Sequence, residues 1–259
     1  ILSYLANSNA DIICLQEYNT ATNKKYLTEQ DVKKALKAYP YQSIHQQGKG
    51  DVQLACFSKF PILSIHPIEY KSNYNGSMRY VLNVNNDTLT LINNHLESNK
   101  LTKEDKVVYE SMLKSPESNK LTKEDRGIYE DMIKDPNAKK VKTGLRQLIR
   151  KLAEASAIRA SQADSVARVI AESKYPTTIV CGDFNDGSIS YTHRILTQEL
   201  DDAFTQSGKG LGISYNLNKF YFRIDNILIS SNLKAYNCTV DRSIKASDHY
   251  PIWCYISKR

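Results

Sequence analysis

No stretch of this sequence gathers proline and glycine into a linker; its 7 prolines and 10 glycines are dispersed over 259 residues. The chain therefore reads as one domain, and it is long enough for one large α/β unit. Long apolar runs are also lacking. No uninterrupted segment approaches the roughly 18 residues of a membrane span, and no secretory leader is visible. The chain opens at Ile1 in what reads as a helix already under way, so it is expected to be part of a longer protein. An anchor upstream is therefore not excluded, and cellular location is left open. Cys-x-x-Cys pairs and metal-finger spacings are absent. The five cysteines, Cys14, Cys56, Cys181, Cys238 and Cys254, stand singly in apolar, strand-like runs. Their odd count argues against a complete disulfide set, and they read as buried reduced thiols. Neither GxGxxG nor GxxxxGK[ST] occurs, so nothing supports a nucleotide cradled by a helix N-terminus.

What is present supports a sizeable core and an anionic partner. Hydrophobic residues make up 41% of the chain, and the net charge is +7 with a pI near 9.0. Nucleic acid, phosphorylated small molecules or an anionic membrane surface would suit that charge, as would a basic solvated surface with no partner. Residues 1–9 read as the end of a helix and Asp11–Glu17 as a buried strand. Thr28–Asp31 reads as a helix N-cap sequence, with the helix ending before Pro40. Tyr41–Gln47, Val52–Lys59 and Ile62–Tyr70 read as strands. Met78–Val84 and Thr88–His95 flank Asn85-Asn86-Asp87, a hairpin-turn composition. Residues 142–173 place Leu145, Leu148, Ile149, Leu152, Ser156, Ala160, Ala163, Val166, Ala167 and Ile170 at helical spacing, the mark of one long amphipathic helix. Thr177–Gly182, Tyr221–Ser230, Leu233–Arg242 and His249–Ser257 complete the strands. Hairpins interleaved with helices favour two packed mixed or antiparallel sheets with helices outside.

A tandem repeat interrupts this pattern. Glu97-Ser-Asn-Lys-Leu-Thr-Lys-Glu-Asp105 recurs as Glu117-Ser-Asn-Lys-Leu-Thr-Lys-Glu-Asp125. Thr102–Asp105 and Thr122–Asp125 are capping-box sequences, Pro116 and Pro136 are stops, and Val108/Met112 and Ile128/Met132 would form narrow apolar stripes. Two copies are too few for a solenoid. The segment 97–141 is expected to be a duplicated helical insert between the His95 strand and the long helix. Lysine and arginine are abundant from Lys100 to Lys151, with Tyr109 and Tyr129 interleaved, but acids are nearly as dense. A substrate lid, a membrane-facing arm and a neutral duplication all fit.

Five polar signatures lie at the ends of apolar, β-rich runs: Leu15-Gln16-Glu17, Asn94-His95-Leu96, Gly182-Asp183-Phe184-Asn185, Ile224-Asp225-Asn226 and Ser247-Asp248-His249. Each has an ordinary reading. Glu17 could be an exposed strand-end acid, Asp183 and Asn185 turn residues, and His95 or His249 a structural histidine. Together, however, they offer the carboxylates, imidazoles and carboxamide that hold a hard cation and cleave a phosphate ester. Asp225 lies in an apolar run, where an isolated carboxylate is costly and needs a partner. His45, His66 and His193 have no comparable setting and read as surface or structural residues.

In this order and these settings the signatures resemble the endonuclease/exonuclease/phosphatase superfamily, the DNase I-like metal-dependent phosphoesterases. The resemblance runs from about residue 1 to the C-terminus, with the tandem repeat as the departure, and Gly-Asp-Phe-Asn is its strongest single match. It implies a four-layer α/β/β/α sandwich of two mixed sheets. The strand that normally opens the fold, ending in an asparagine, lies upstream of where this chain begins. It further implies Mg²⁺, or Mn²⁺ in its place, held by Glu17 and Asp248, with His95, Asp183, Asn185, Asp225 and His249 as catalytic groups. Asp225 would orient His249 as a base, His249 or Asp183 would take the proton from an in-line water, and Asn185 and His95 would bind non-bridging oxygens. Histidine at position 95 fits the DNase I-like, sphingomyelinase-like and several phosphatase branches, whereas the apurinic-endonuclease branch commonly has tyrosine. The expected substrate is a phosphodiester or phosphomonoester, in nucleic acid or in a phosphorylated small molecule or lipid. Pro251-Ile-Trp-Cys254 has the letters of an inositol-phosphatase motif but lies outside its setting. A monomer without an obligate protein partner is expected. The competing reading is a catalytically silent scaffold or binding domain on the same fold; retention of a polar residue in every signature present argues against it.

Overall fold

The computed structural model of the chain describes residues 1–22, 25–46, 53–72, 74–102, 105, 139–216 and 221–259. Most of the tandem repeat falls outside these residues, including the whole of its second copy. At its near end the first capping box is formed: Thr102 N donates to Asp105 Oδ2 at 2.8 Å, and Asp105 N to Thr102 Oγ1 at 3.2 Å.

The chain begins with α1 (Leu2–Asn7), β1 (Ile12–Tyr18), α2 (Glu29–Ala35), β2 (Tyr41–Gln46), β3 (Gln53–Ser58) and β4 (Ile62–Pro67). It continues with β5 (Gly76–Val84), β6 (Asp87–His95), the long helix α3 (Lys139–Ala171) and β7 (Thr178–Asp183). The remaining elements are α4 (Tyr191–Leu196), β8 (Leu200–Asp202), α5 (Ala203–Ser207), β9 (Asp225–Ser230), β10 (Leu233–Val240) and β11 (Ile252–Lys258). The capping box at α2 is complete, with Thr28 and Asp31 bonding each other's backbone N–H. The β5–β6 turn uses left-handed Asn85 and Asn86, as a tight hairpin requires. The region between β7 and β9 supplies α4, β8 and α5, three short elements whose few residues carry no periodicity that sequence alone could resolve.

Six strands form one mixed sheet in the order β4-β5-β6-β7-β9-β8, parallel only between β6 and β7. Its outer face packs Ile92, Val180 and Leu228 against Ala163, Val166 and Ile170 of α3. Its inner face meets a second layer built in two pieces. The β1-β3-β2 piece packs Leu54 and Cys56 on Met78, Tyr80, Leu82, Leu89 and Leu91. The β10-β11 piece packs Leu233, Ala235 and Cys238 on Ile227 and Ile229. Ile179 and Cys181 of β7 border both clusters, so the pieces lie side by side. Val32, Leu36 and Tyr39 then cover Ile13, Ala55 and Phe57 from outside. The result is the expected α/β/β/α sandwich. Among the described residues β1 and β11 each keep one unpaired edge. Of the five free cysteines, Cys56 and Cys238 are buried, whereas Cys14, Cys181 and Cys254 are partly buried. They are less solitary than their sequence positions suggest, for Cys14 faces Cys56 across β1–β3 and shares a cluster with Cys181.

No helix among the described residues is long and apolar enough to cross a membrane.

Candidate active site

Register brings the signatures together. The parallel pairing of β6 and β7 sets His95 beside Asp183, and the antiparallel pairing of β7 and β9 sets Asp183 beside Asp225. Gly182 makes this possible. Its φ is +128°, and an added Cβ would stand 2.0 Å from the Asn94 carbonyl oxygen, so any side chain would force the two strands apart. Glu17 arrives through a bulge, where the β1–β3 register shifts between Leu15 and Tyr18 and Glu17 takes a φ of 53°. Such a left-handed residue costs about 1–2 kcal/mol without glycine, and it turns the carboxylate towards His95. Beneath it, Gln16 Nε2 donates to Asn93 Oδ1 at 2.6 Å, while Asn93 Nδ2 donates to Ala55 O at 3.2 Å. Gln16 therefore fastens β1 to β6. The Ser247–His249 turn is held by Ser214–Asn216: Ser214 O accepts from Tyr250 N, and Asn216 N donates to Asp248 O. Ser214 Oγ also accepts from Asp225 N at 3.1 Å, which ties that turn to β9.

Distances at the centre are short. His249 Nδ1 lies 2.8 Å from Asp225 Oδ2, leaving Nε2 3.9 Å from Asp183 Oδ2. His95 Nε2 lies 3.9 Å from Asp183 Oδ2 and 3.6 Å from Glu17 Oε1. Asp183 is buried, and both of its oxygens accept from Asn185: Oδ1 from the backbone N–H at 2.7 Å and Oδ2 from Nδ2 at 3.0 Å. Asn185 Nδ2 also donates to Leu96 O at 3.0 Å, so both carboxamide hydrogens are already engaged. In this arrangement Asn185 orients Asp183; donating to a substrate oxygen would require releasing one of these bonds. Asp248 is exposed beside His249. All seven expected site residues thus come to one end of the β-sandwich, with Asp183, Asp225 and His249 gathered most tightly, their ligand atoms within 4.8 Å of one another.

The electrostatics are those of crowded acids. Burial and the neighbouring Asp225 push Asp183 up to about 8. Burial lowers His249, but its hydrogen bond to Asp225 and the charges of Asp225, Asp183 and Asp248 outweigh that and raise it to about 9. Burial and the charge of His249 hold His95 down at about 4, so it is a neutral imidazole at pH 7. No lysine or arginine pairs with Glu17, Asp183, Asp225 or Asp248 among the described residues. A hard dication fits this set: oxygen donors predominate, the charged His249 offsets only part of the acids' negative charge, and Mg²⁺ usually takes only one or two carboxylates.

A pH dependence follows for the metal-free protein. Both His249 and Asp183 have folded values above their unfolded ones, so the folded state holds extra protons near neutrality. The stability they contribute is full below the unfolded values and is lost as pH rises through about 8 to 9. In EDTA, calorimetry should show wild type losing on the order of 1–3 kcal/mol more between pH 6 and pH 9 than Asp183→Asn/His249→Gln. Parallel pH profiles would show that the two groups are not perturbed as described.

Sequence reasoning passed over a second buried polar centre. Asp202 caps α5 by accepting from Phe204 N and Thr205 N, faces His193 Nε2 at 2.9 Å, and receives both ends of the Arg223 guanidinium at 3.1 and 2.6 Å. The structural reading of His193 is thus the right one. Arg223 is only two residues before Asp225, and its place at the head of β9 was the available signal.

The model of the endonuclease/exonuclease/phosphatase family matches residues 1–249. No curated protein matches the chain significantly. Among solved structures, D. rerio TDP2 humanized by 14 mutations is 18% identical with a TM-score of 0.66, over 99% of this chain and 89% of that one. The D. rerio TDP2 complex with single-strand DNA product gives 19% and 0.63 over the same shares, 99% and 89%. The human Nocturnin catalytic domain with bound sulfate is 15% identical, with a TM-score of 0.61 over 99% of this chain and 83% of that one. A Bacteroides thetaiotaomicron mannosyl-6-phosphatase is 13% identical, with a TM-score of 0.59 over 99% and 90%. At these identities the likeness is one of fold. The family match over nearly the whole chain goes further: this protein belongs to the endonuclease/exonuclease/phosphatase family.

Proposed function

We propose that this chain is a divalent-metal-dependent phosphoester hydrolase, most simply Mg²⁺-dependent, with Mn²⁺ able to take the same place. The observation that carries the reading is the convergence of Glu17, Asp183, Asp225 and Asp248 around His95 and an Asp225-oriented His249, with no lysine or arginine paired to these acids among the described residues. Glu17 and Asp248 would hold the cation at the exposed mouth of the site. When bound, the cation polarises a phosphoryl oxygen and offsets charge on the leaving oxygen.

The chain's own groups do the rest. Asp183, fixed by Asn185, would accept the proton of a water attacking phosphorus in line in its ionised form, which the charge of a bound cation would favour over the neutral acid of the metal-free site. His249, kept charged by Asp225, presents Nε2 to the developing negative charge, and neutral His95 donates a hydrogen bond to a non-bridging oxygen. No covalent intermediate on the protein is required. TDP2 bound to DNA and a sugar phosphatase share the fold, which supports a substrate from either the nucleic-acid or the small-phosphate class. The duplicated segment following His95 is proposed as a peripheral insert of this single domain. A silent scaffold would have no reason to keep these acids converged.

Millimolar Mg²⁺ should raise the thermal midpoint of the wild-type protein by several degrees through preferential binding to the folded state, and Glu17→Gln/Asp248→Asn should lose that shift. An equal shift in both proteins would remove these two residues from the metal site.

A further inference from the structure

Arg159 lies about three turns before the C-terminal end of α3, in the sandwich's outer layer, yet only 3% of it is exposed. A buried guanidinium is retained only where its donors are satisfied. Here Nη1 donates to Glu97 O at 2.9 Å and to Asn99 Oδ1 at 2.8 Å, and Nε donates to Asp186 Oδ2 at 3.2 Å. One turn along the same helix face, Gln162 Oε1 accepts from Glu97 N at 2.8 Å. Asp186 is itself fixed, accepting from Thr192 Oγ1 at 3.1 Å.

The two segments that Arg159 grips carry site residues from distant parts of the sequence. Glu97 and Asn99 follow His95, and Asp186 follows Asn185. Leu96 is the stitch between them: its N–H donates to Asp183 O, and its carbonyl accepts from Asn185 Nδ2 and from Asn75 Nδ2, each at 3.0 Å. If the segment after His95 moved away from the Asp183–Asp186 turn, the Leu96–Asn185 bond would be lost, and with it the anchor outside the turn that holds the Asn185 carboxamide against Asp183.

We propose that Arg159 is a positioning residue for the phosphoester hydrolysis described above. It clamps the backbone after His95 to the loop after Asn185, so that His95 and Asp183 keep their mutual geometry. The proposal rests on that functional reading for its kinetic consequence, while the clamp itself is a property of the fold. Arginine is needed because three acceptors lie around one planar fork; a lysine ammonium on a flexible stem cannot hold all of them in place.

The test compares wild type with Arg159→Lys and Arg159→Met at a temperature well below each midpoint, using bis(p-nitrophenyl) phosphate with Mg²⁺. Displacing site groups by an ångström costs about 100-fold, so Arg159→Met should lose about that in kcat and Arg159→Lys about 10-fold, with KM nearly unchanged. Native-state hydrogen exchange supplies a readout independent of turnover. The Leu96 and Asn185 amides should exchange at least about 10-fold faster in both variants, while amides in β5 stay at wild-type rates. If Arg159→Met does not fold, Asp186→Ala and Asn99→Ala each remove one acceptor and should show the same pattern in smaller degree. Unchanged exchange at Leu96 and Asn185 overturns the clamp. Faster exchange with unchanged kcat overturns the positioning role. Wild type without turnover on any phosphoester would defeat the functional reading, and the exchange result would still decide the clamp.

Discussion

Replacing His249 by alanine is expected to lower kcat for phosphoester hydrolysis by about 1,000-fold or more while leaving the fold intact. The expectation comes from where the imidazole sits. Its Nδ1 is committed to Asp225 at 2.8 Å, so Nε2 is aimed at the space shared with Asp183. Alanine removes the charge-stabilising group and also leaves Asp225, a buried acid, without its partner. Asp183→Asn should be as severe, because the amide cannot accept a proton, and its NH₂ would confront the Asn185 donors that now bond both carboxylate oxygens. Circular dichroism and gel filtration would establish folding, and steady-state kinetics would give the loss. Turnover within about tenfold of wild type in either variant would move the proton-transfer chemistry elsewhere.

The largest effect on stability is expected at Asp202. Burial alone would raise its carboxyl, but His193, Arg223 and the backbone N–H groups of α5 hold it well below the usual carboxylate range. Asp202→Ala would strand the buried guanidinium of Arg223 and remove the α5 cap in one step, a loss of about 3–5 kcal/mol. Asp202→Asn keeps the cap oxygen but not the charge, and should cost roughly half as much. Urea unfolding gives both values. A loss below about 1 kcal/mol for alanine would mean that water or another acid takes over the Arg223 contacts. The damage should also reach function, because Arg223 stands at the head of the strand that presents Asp225.

Much of this organisation was legible in the sequence because it is set by local rules. The Thr28–Asp31 box and the Asn85-Asn86 turn each follow from chemistry within a few residues. The site was legible for a different reason. Its residues sit at strand ends, and the pairing of β6 with β7 and of β7 with β9 turns strand ends into neighbours. What could not be read was polar burial governed by distant partners. In α3 the helical spacing pointed to Ile149, which is exposed, whereas Arg159 and Gln162 are buried among Ala155, Ala163 and Val166. A period of 3.6 identifies a face only when that face is apolar, and here two polar residues belong to it because the Glu97 and Asp186 segments need their donors and acceptors. Asp202 escaped notice for the same reason: its partners come from α4, α5 and the approach to β9. The engagement of Asn185 with Leu96 likewise depends on a contact spanning 89 positions.

The most direct test of the central claim is hydrolysis of bis(p-nitrophenyl) phosphate, p-nitrophenyl phosphate, plasmid DNA, RNA and sphingomyelin by the folded protein, with Mg²⁺ and with EDTA. The account predicts turnover of at least one substrate with Mg²⁺, abolished by EDTA and absent from Asp183→Asn. Turnover that persists in EDTA, or that Asp183→Asn retains, would contradict it, as would silence on every substrate in a protein that binds no Mg²⁺.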